Sequence, residues 1–247
     1  MAQPLHQGRA FSRPPLYVSN KNETVRMFES DFMEFFSRVH PITPLVLYLP
    51  VVGAMLYVSI WQRQLSLVAV VALFLLGILL WTLLEYLIHR HIFHYEPKTR
   101  IGKRLHYVVH GVHHDYPSDA RRLVMPPSIS VPLAFLFYGI FLLIFGRLTP
   151  TIFAGLVFGY VCYDMLHYAT HHFPMKHGIG LWLKQYHLRH HYKDDHAGYG
   201  ISSPLWDYVF RTTRRYSSQF VVDTGFAKIG RALTVLKSCP ELGHPLH

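Results

Sequence analysis

Residues 65 to 84 read LSLVAVVALFLLGILLWTLL, twenty positions without a charged side chain. At about 1.5 Å of rise per residue, such a helix matches the ~30 Å hydrocarbon core of a bilayer. Upstream, ITPLVLYLPVVGAMLYVSI (42–60) is also free of charge, and downstream ISVPLAFLFYGIFLLIF (129–145) is a shorter run with Pro132 in its first turn. A fourth run starts at Thr149-Pro150, read as an N-cap followed by proline at the first helical position, and continues TIFAGLVFGYVCYDMLHYATHH. The expected fold is an all-α integral membrane protein with four transmembrane helices, at about 42–60, 65–84, 129–145 and 150–170, and a cytoplasmic helical cap.

Composition agrees with this. The chain has 247 residues, 51% hydrophobic and only 15% charged, whereas about a quarter of a soluble domain is charged. Two cysteines, Cys162 and Cys239, give neither a disulfide framework nor a cysteine metal site. The opening MAQPLHQGRAFSRPP has no apolar h-region, so no cleavable signal peptide is expected. A net charge of +10 without any nucleic-acid-binding motif points to a membrane surface, and no nucleic-acid partner is expected.

Lysine and arginine set the orientation. The segment to His40 carries five, residues 85–128 carry seven and the chain after His171 carries ten, against one each in the turns WQRQ and GRLT. Both termini and the 85–128 segment therefore face the cytoplasm, and both hairpin tips face the other side. His89 lies 24 residues past Leu65 and His171 lies 22 past Thr149, which brings both out at the cytoplasmic end.

Nineteen histidines are present, most of them in four knots: EYLIHRHIFH (85–94), HGVHH (110–114), HYATHH (167–172) and HLRHH (187–191). Spacings of i, i+3 and i+4 place imidazoles on one helix face, within reach of one another. His89 and His94 are five apart, which a straight helix would turn away from each other, so a helix break is expected between them, with Pro97 marking irregular chain beyond. The candidate ligands are His89, His94, His110, His113, His114, His167, His171, His187, His190 and His191. Ten imidazoles exceed the coordination of one ion and imply two metals, of a kind that neutral nitrogen suits: iron, zinc, copper or nickel. His91, His106, His172, His177 and His196 lie near the knots but off the repeated spacing. His6, His40, His244 and His247 are background. Glu85 and Asp164, one turn before His89 and His167, read equally as carboxylates that orient an imidazole or as polar helix-end residues.

With these boxes the sequence resembles the fatty acid hydroxylase superfamily. HGVHHDYPSDARRLVMPP (110–127), FGYVCYDMLHYATHH (158–172) and YHLRHHYKDDHAGYGISSPLWDYVF (186–210) are similar to the fatty acid 2-hydroxylases, over roughly residues 81–212. The resemblance implies a hydroxylase domain over 41–212, between an N-terminal cytoplasmic segment (1–40) and a tail (213–247). It implies a membrane-bound non-haem di-iron monooxygenase that uses O2 to hydroxylate C2 of long fatty acyl chains, free or in sphingolipid, with the same ten histidines as ligands. Iron is expected in the active enzyme, with zinc able to replace it on purification. Many eukaryotic members carry a cytochrome b5 domain with an HPGG loop. Here the forty residues before the first span are too few and hold no HPGG, so a separate electron donor such as cytochrome b5 or ferredoxin is expected. That difference favours a bacterial inner membrane over the endoplasmic reticulum. The lipid substrate should enter from the bilayer, its head group at the cytoplasmic rim near DDHAGYG (194–200) and Arg121-Arg122. The alternatives are a sterol or carotenoid oxidase of the same superfamily and, more remotely, a histidine-rich metal transporter.

Overall fold

The computed structural model describes residues 16–213, where every regular element is helical and no strand occurs among the described residues. His6, His244, His247, Cys239 and the tail from residue 214 lie outside the described residues. Helix α1 (Asp31–Ser37) precedes the apolar helices α2 (Thr43–Tyr57) and α3 (Leu67–Ile88). Proline in its first turn starts α2, and a wider π-type turn extends it to Gln62. Ser66 caps α3, its hydroxyl accepting from the Ala69 amide. Short α4 (Arg100–His106) and α5 (Val112–Asp115) lead to α6 (Pro127–Phe145) and α7 (Thr149–His172), and then to α8 (Gly178–Tyr192) and α9 (Leu205–Val209).

Three stretches are long and apolar enough to cross a membrane: Thr43–Gln62, Leu67–Phe93 and Pro127–His172. The third contains a reversal. Gly146 adopts φ 53°, a left-handed conformation that costs glycine little, and the chain folds back so that the Tyr138 and Phe153 rings pair at 5.1 Å. Thr149 does not cap α7 as its sequence position implies. Leu148 is the N-cap, and the Thr149 hydroxyl donates to the Phe141 carbonyl at 2.9 Å, which fastens the hairpin.

Helix α7 is the axis of the bundle. Its residues from Thr149 to Leu156 are almost all inaccessible, and α2, α3 and α6 pack around it through Tyr48, Trp81 and Phe141. Contact with α3 is close because glycine faces glycine. A Cβ on Gly77 would lie 2.0 Å from the Ile152 carbonyl oxygen, and one on Gly155 2.0 Å from that of Phe74. Such small-residue crossings are how helices approach where lipid removes the hydrophobic drive between them. The outer faces are apolar: Val68 and Leu143 are 80% and 89% exposed, a surface suited to acyl chains and penalised by water.

The segment before α2 is fastened to the polar end of the bundle. Val18 and Ser19 donate to the Asp115 carbonyl, and Val39 to that of Arg121. The anchor is ionic: buried Glu34 accepts from Arg122 Nη2 at 2.5 Å and from Arg38 Nε at 2.8 Å. Burial alone would push the Glu34 carboxyl up, but the Met27 and Phe28 amides together with Arg38 and Arg122 outweigh it and hold it down at about 2. A depressed carboxyl stabilises fully above the ordinary glutamate value of 4.5, and that contribution is lost as pH falls towards 2. Replacing Glu34 by alanine strands a guanidinium whose side chain is 2% exposed, with Asp119 at 3.8 Å as its remaining carboxylate. We expect Glu34→Ala to cost about 3 kcal/mol in thermal unfolding in detergent at neutral pH. Asp31→Ala, which removes an exposed pair with Arg26, should shift the transition little.

Candidate metal centre

Helix α3 does not break after its last apolar turn. It widens: residues His89–Phe93 form a π-type turn in which the His94 amide donates to the His89 carbonyl at 3.2 Å. That five-residue closure sets His89 and His94 on one face, which corrects the expected break; the chain turns irregular only beyond His94. A second π-type turn, Tyr107–Gly111, delivers His110 ahead of His113 and His114 on α5. His167 and His171 come from the last turns of α7, and His187, His190 and His191 from the end of α8.

The structure brings all ten together as two groups of five. His89, His94, His110, His114 and His190 form one, and His113, His167, His171, His187 and His191 the other, with candidate donor atoms within 4.8 Å of one another in each. Each HxxHH triplet, expected to act as a single face, is divided. Residues four apart lie only about 40° apart around a helix, while the i+3 residue points elsewhere. So His110 and His114 go to the first group and His113 to the second, while His187 and His191 go to the second and His190 to the first. His114 stacks on His191 at 4.3 Å where the groups adjoin.

The contacts within the groups are not ordinary hydrogen bonds. His89 Nδ1 donates to the Tyr199 carbonyl at 2.5 Å and His190 Nδ1 to the Ala197 carbonyl at 2.9 Å. A carbonyl can only accept, so both Nδ1 atoms carry the proton and both Nε2 atoms of the neutral rings are bare lone pairs. Yet His94 Nε2 lies 3.2 Å from His89 Nε2 and 3.0 Å from His190 Nε2, and one proton cannot satisfy both. The second group repeats the pattern, with His113 Nε2 at 2.9 Å from that of His167 and 3.0 Å from that of His191. Converging nitrogen lone pairs suit a cation, and donors ~2.0–2.1 Å from one ion would stand at about this separation. Burial, followed by neighbouring imidazoles, pushes His110, His114, His187, His190 and His191 well below the usual histidine range. Burial likewise pushes His113 down to about 3 and, with His190 and His106 beside it, His94 to about 2. The rings are therefore neutral, the state in which they bind metal.

The off-spacing histidines belong to neither group. His106 Nε2 bonds the Phe93 carbonyl, His172 stacks on Tyr168, and His91, His177 and His196 are exposed. The Glu85 carboxylate makes no hydrogen bond to the His89 imidazole, although the His89 amide donates to the Glu85 carbonyl. Its carboxylate accepts from the Ile201 and Ser202 amides at 2.6 and 2.8 Å and from the Ser202 hydroxyl. No hydrogen bond from Asp164 to His167 forms; Asp164 lines a cavity instead. The two carbonyls that orient His89 and His190 escape sequence reading because a backbone oxygen has no side-chain signature. The glycines around Tyr199 are their only trace.

Beside both groups lies an apolar cavity of about 910 Å³. His110, His113 and His167 sit in its wall with Asp164; most of the rest is aliphatic or aromatic, including Phe32 and Phe36 of α1. The stretch 194–200 takes no part in it. Arg122 reaches it, but its nitrogens are taken by Glu34, the Ser37 hydroxyl and the Val25 carbonyl.

Apolar helices ending in paired histidine groups define a membrane protein equipped to bind metal next to a lipid-like cavity. Comparison with known proteins gives the family. The family model described as fatty acid hydroxylase matches residues 74–212. A dihydroceramide fatty acyl 2-hydroxylase of Arabidopsis thaliana is 42% identical over 194 residues, covering 77% of this chain and 80% of that protein. The fatty acid 2-hydroxylase of Rattus norvegicus is 40% identical over 210 residues, 76% of this chain and 56% of the rat protein. The solved structure of full-length scs7p, in which only the hydroxylase domain is visible, superposes with a TM-score of 0.71 at 36% identity, covering 75% of this chain and 70% of that one. The chain belongs to the fatty acid hydroxylase family.

Elemental analysis of the purified protein should give two ions per chain. His190→Ala should lower that number, and His6→Ala should not; one ion or none in folded wild-type protein would break the reading of two sites.

Proposed function

We propose that the chain hydroxylates C2 of long-chain fatty acyl groups, free or within sphingolipid. It does so as an O2-dependent oxidoreductase of the membrane, with two metal ions, iron in the active form, held by the two histidine groups. The observation that carries this is the cavity: an apolar space of about 910 Å³ whose wall includes imidazoles of both groups. Its size lies at the upper end of small-molecule sites and its lining matches an acyl chain. Relatives named for fatty acyl and dihydroceramide 2-hydroxylation support the substrate class. When bound, the metal pair supplies the O2 activation that breaking an unactivated C–H bond requires and that no side chain provides.

The protein's own residues do the rest. Leu84, Ile88, Val124 and Phe137 line the cavity with apolar side chains that would pack against an acyl chain. His110, His113 and His167 mark where the reacting carbon stops, and tail length matters less than where the head is held. The electrons come from a separate donor, cytochrome b5 or ferredoxin. A transporter would place its ionisable groups near the bilayer midplane, whereas these histidines sit at helix ends.

The bundle is read as four crossings with the histidine groups on the cytoplasmic side. The 46 residues from Pro127 to His172 would extend ~69 Å as one helix, twice a bilayer core, and the reversal at Gly146 divides them into two. Both hairpin tips lie at one end, where Arg147 donates to the Arg63 carbonyl at 3.3 Å. Cysteines placed at 63 and 147, with Cys162 and Cys239 replaced, should label from the non-cytoplasmic side without permeabilising the membrane. Protection of both would reverse the orientation.

Expression in a host that lacks 2-hydroxy fatty acids, followed by lipid mass spectrometry, tests the activity. Wild-type protein should produce 2-hydroxy acyl chains and His113→Ala should not. Hydroxylated carotenoids or oxidised sterols with unchanged acyl chains would assign the chain to those substrates instead.

A further inference from the structure

We infer that Asp207 is a positioning residue for the first histidine group, acting on His89 through the peptide that joins Tyr199 to Gly200. This rests on reading the groups as metal sites and adds a device that makes the two sites unequal.

The chain from Gly198 to Ser202 runs as a strap between two sets of partners. Its amides face anionic or carbonyl oxygen: Gly198 donates to the Thr212 carbonyl at 3.2 Å, Tyr199 to Asp207 Oδ1 at 3.0 Å and Gly200 to Asp207 Oδ2 at 2.7 Å. Its carbonyl side faces imidazole, with Tyr199 accepting from His89 and Ala197 from His190. One peptide group therefore connects Asp207 to His89. The carboxylate takes the Gly200 N–H, and the Tyr199 C=O of the same unit takes the His89 Nδ1–H. Metal-bound histidines commonly donate their second nitrogen to a carboxylate or carbonyl, which fixes the tautomer and makes the ligating nitrogen more basic. Here a carboxylate and a carbonyl act in series, and hydrogen bonds in series polarise one another.

The strap is built for this contact. Asp207 is 0% exposed, and its Oδ1 also accepts from the Thr212 hydroxyl at 2.7 Å. Helix α9 holds it in place by docking on α3, where Trp206 Nε1 donates to the Thr82 hydroxyl at 3.0 Å. Gly198 has φ 75°, and a Cβ on Gly200 would lie 2.2 Å from the Ser203 carbonyl oxygen, so neither position accepts a side chain without strain. The second group differs. Among the described residues, Nδ1 of His113, His167, His187 and His191 has no protein hydrogen-bond partner.

The test is chelator competition on detergent-purified protein loaded with Zn²⁺, read as metal per chain. His191→Ala keeps the first group whole and His190→Ala keeps the second. Adding Asp207→Asn to His191→Ala should weaken retention about ten-fold or more, while adding it to His190→Ala should change nothing. Glu85→Gln is the control for a merely structural strap, because the carbonyls of the peptides it holds face no imidazole in the described structure. It should leave both ions in place. Equal weakening of both groups by Asp207→Asn, equal effects of Asp207→Asn and Glu85→Gln, or no effect of Asp207→Asn would each overturn the inference. Should Asp207→Asn fail to fold, His191→Ala against His190→Ala decides it. The strapped group should hold its ion about ten-fold more tightly, and equal retention would overturn the inference. Wild-type protein that binds no metal would instead break the reading of the groups as metal sites.

Discussion

Ten imidazoles converge in two largely buried groups, and the bare Nε2 lone pairs of His89 and His190 favour positive charge among them. Everything else at this end of the molecule serves that convergence. Protonation cannot supply the charge, since burial and crowding of like groups keep the rings neutral. Hydrogen bonding cannot either, because His89 and His190 have spent their protons on backbone carbonyls. The donor set is thus complementary to metal before any metal is considered. It also explains why the helix ends are irregular: π-type turns at 89–93 and 107–111 bring imidazoles to faces that regular α-helix would have turned aside.

Rigidity beneath the groups comes from the bundle. Helix α7 is buried by its neighbours and carries His167 and His171 at its end, while α3 lies against it at glycine distance and carries His89. Side chains donated by different helices keep their separations only if those helices cannot slide. The α3–α7 crossing, closed by Gly77 and Gly155, supplies that restraint at the root of both groups.

Much of this was legible in the sequence. The apolar runs announced helices because charge is absent from them over bilayer length, and the i, i+3, i+4 histidines announced convergence because helical spacing maps onto distance. Four-residue spacing pairs His110 with His114 and His187 with His191, but which helices share a group did not follow from it. Whether His113 joins His110 or turns to His167 depends on how α5 rotates against α7, a tertiary fact. The π-type turn at His89 was misread as a break because five-residue spacing has no place in a regular helix. Thr149 looked like a cap but serves the hairpin, since residue type alone does not say which carbonyl a hydroxyl will find. Glu85 and Asp207 act through main-chain groups, to which side-chain motifs are blind.

The two walls of the cavity have different origins along the chain. His110, His113 and His167 lie within residues 74–212, the part that the family model matches, whereas Met27, Phe28, Phe32, Met33 and Phe36 precede it. Reactive end and substrate-facing cover thus come from different segments of the chain, joined in space rather than in sequence. A change in the cover would alter the lipids admitted while leaving the histidine framework untouched. Glu34 and Arg122 form the joint between the two, an ionic seam along which such a change would have to fit.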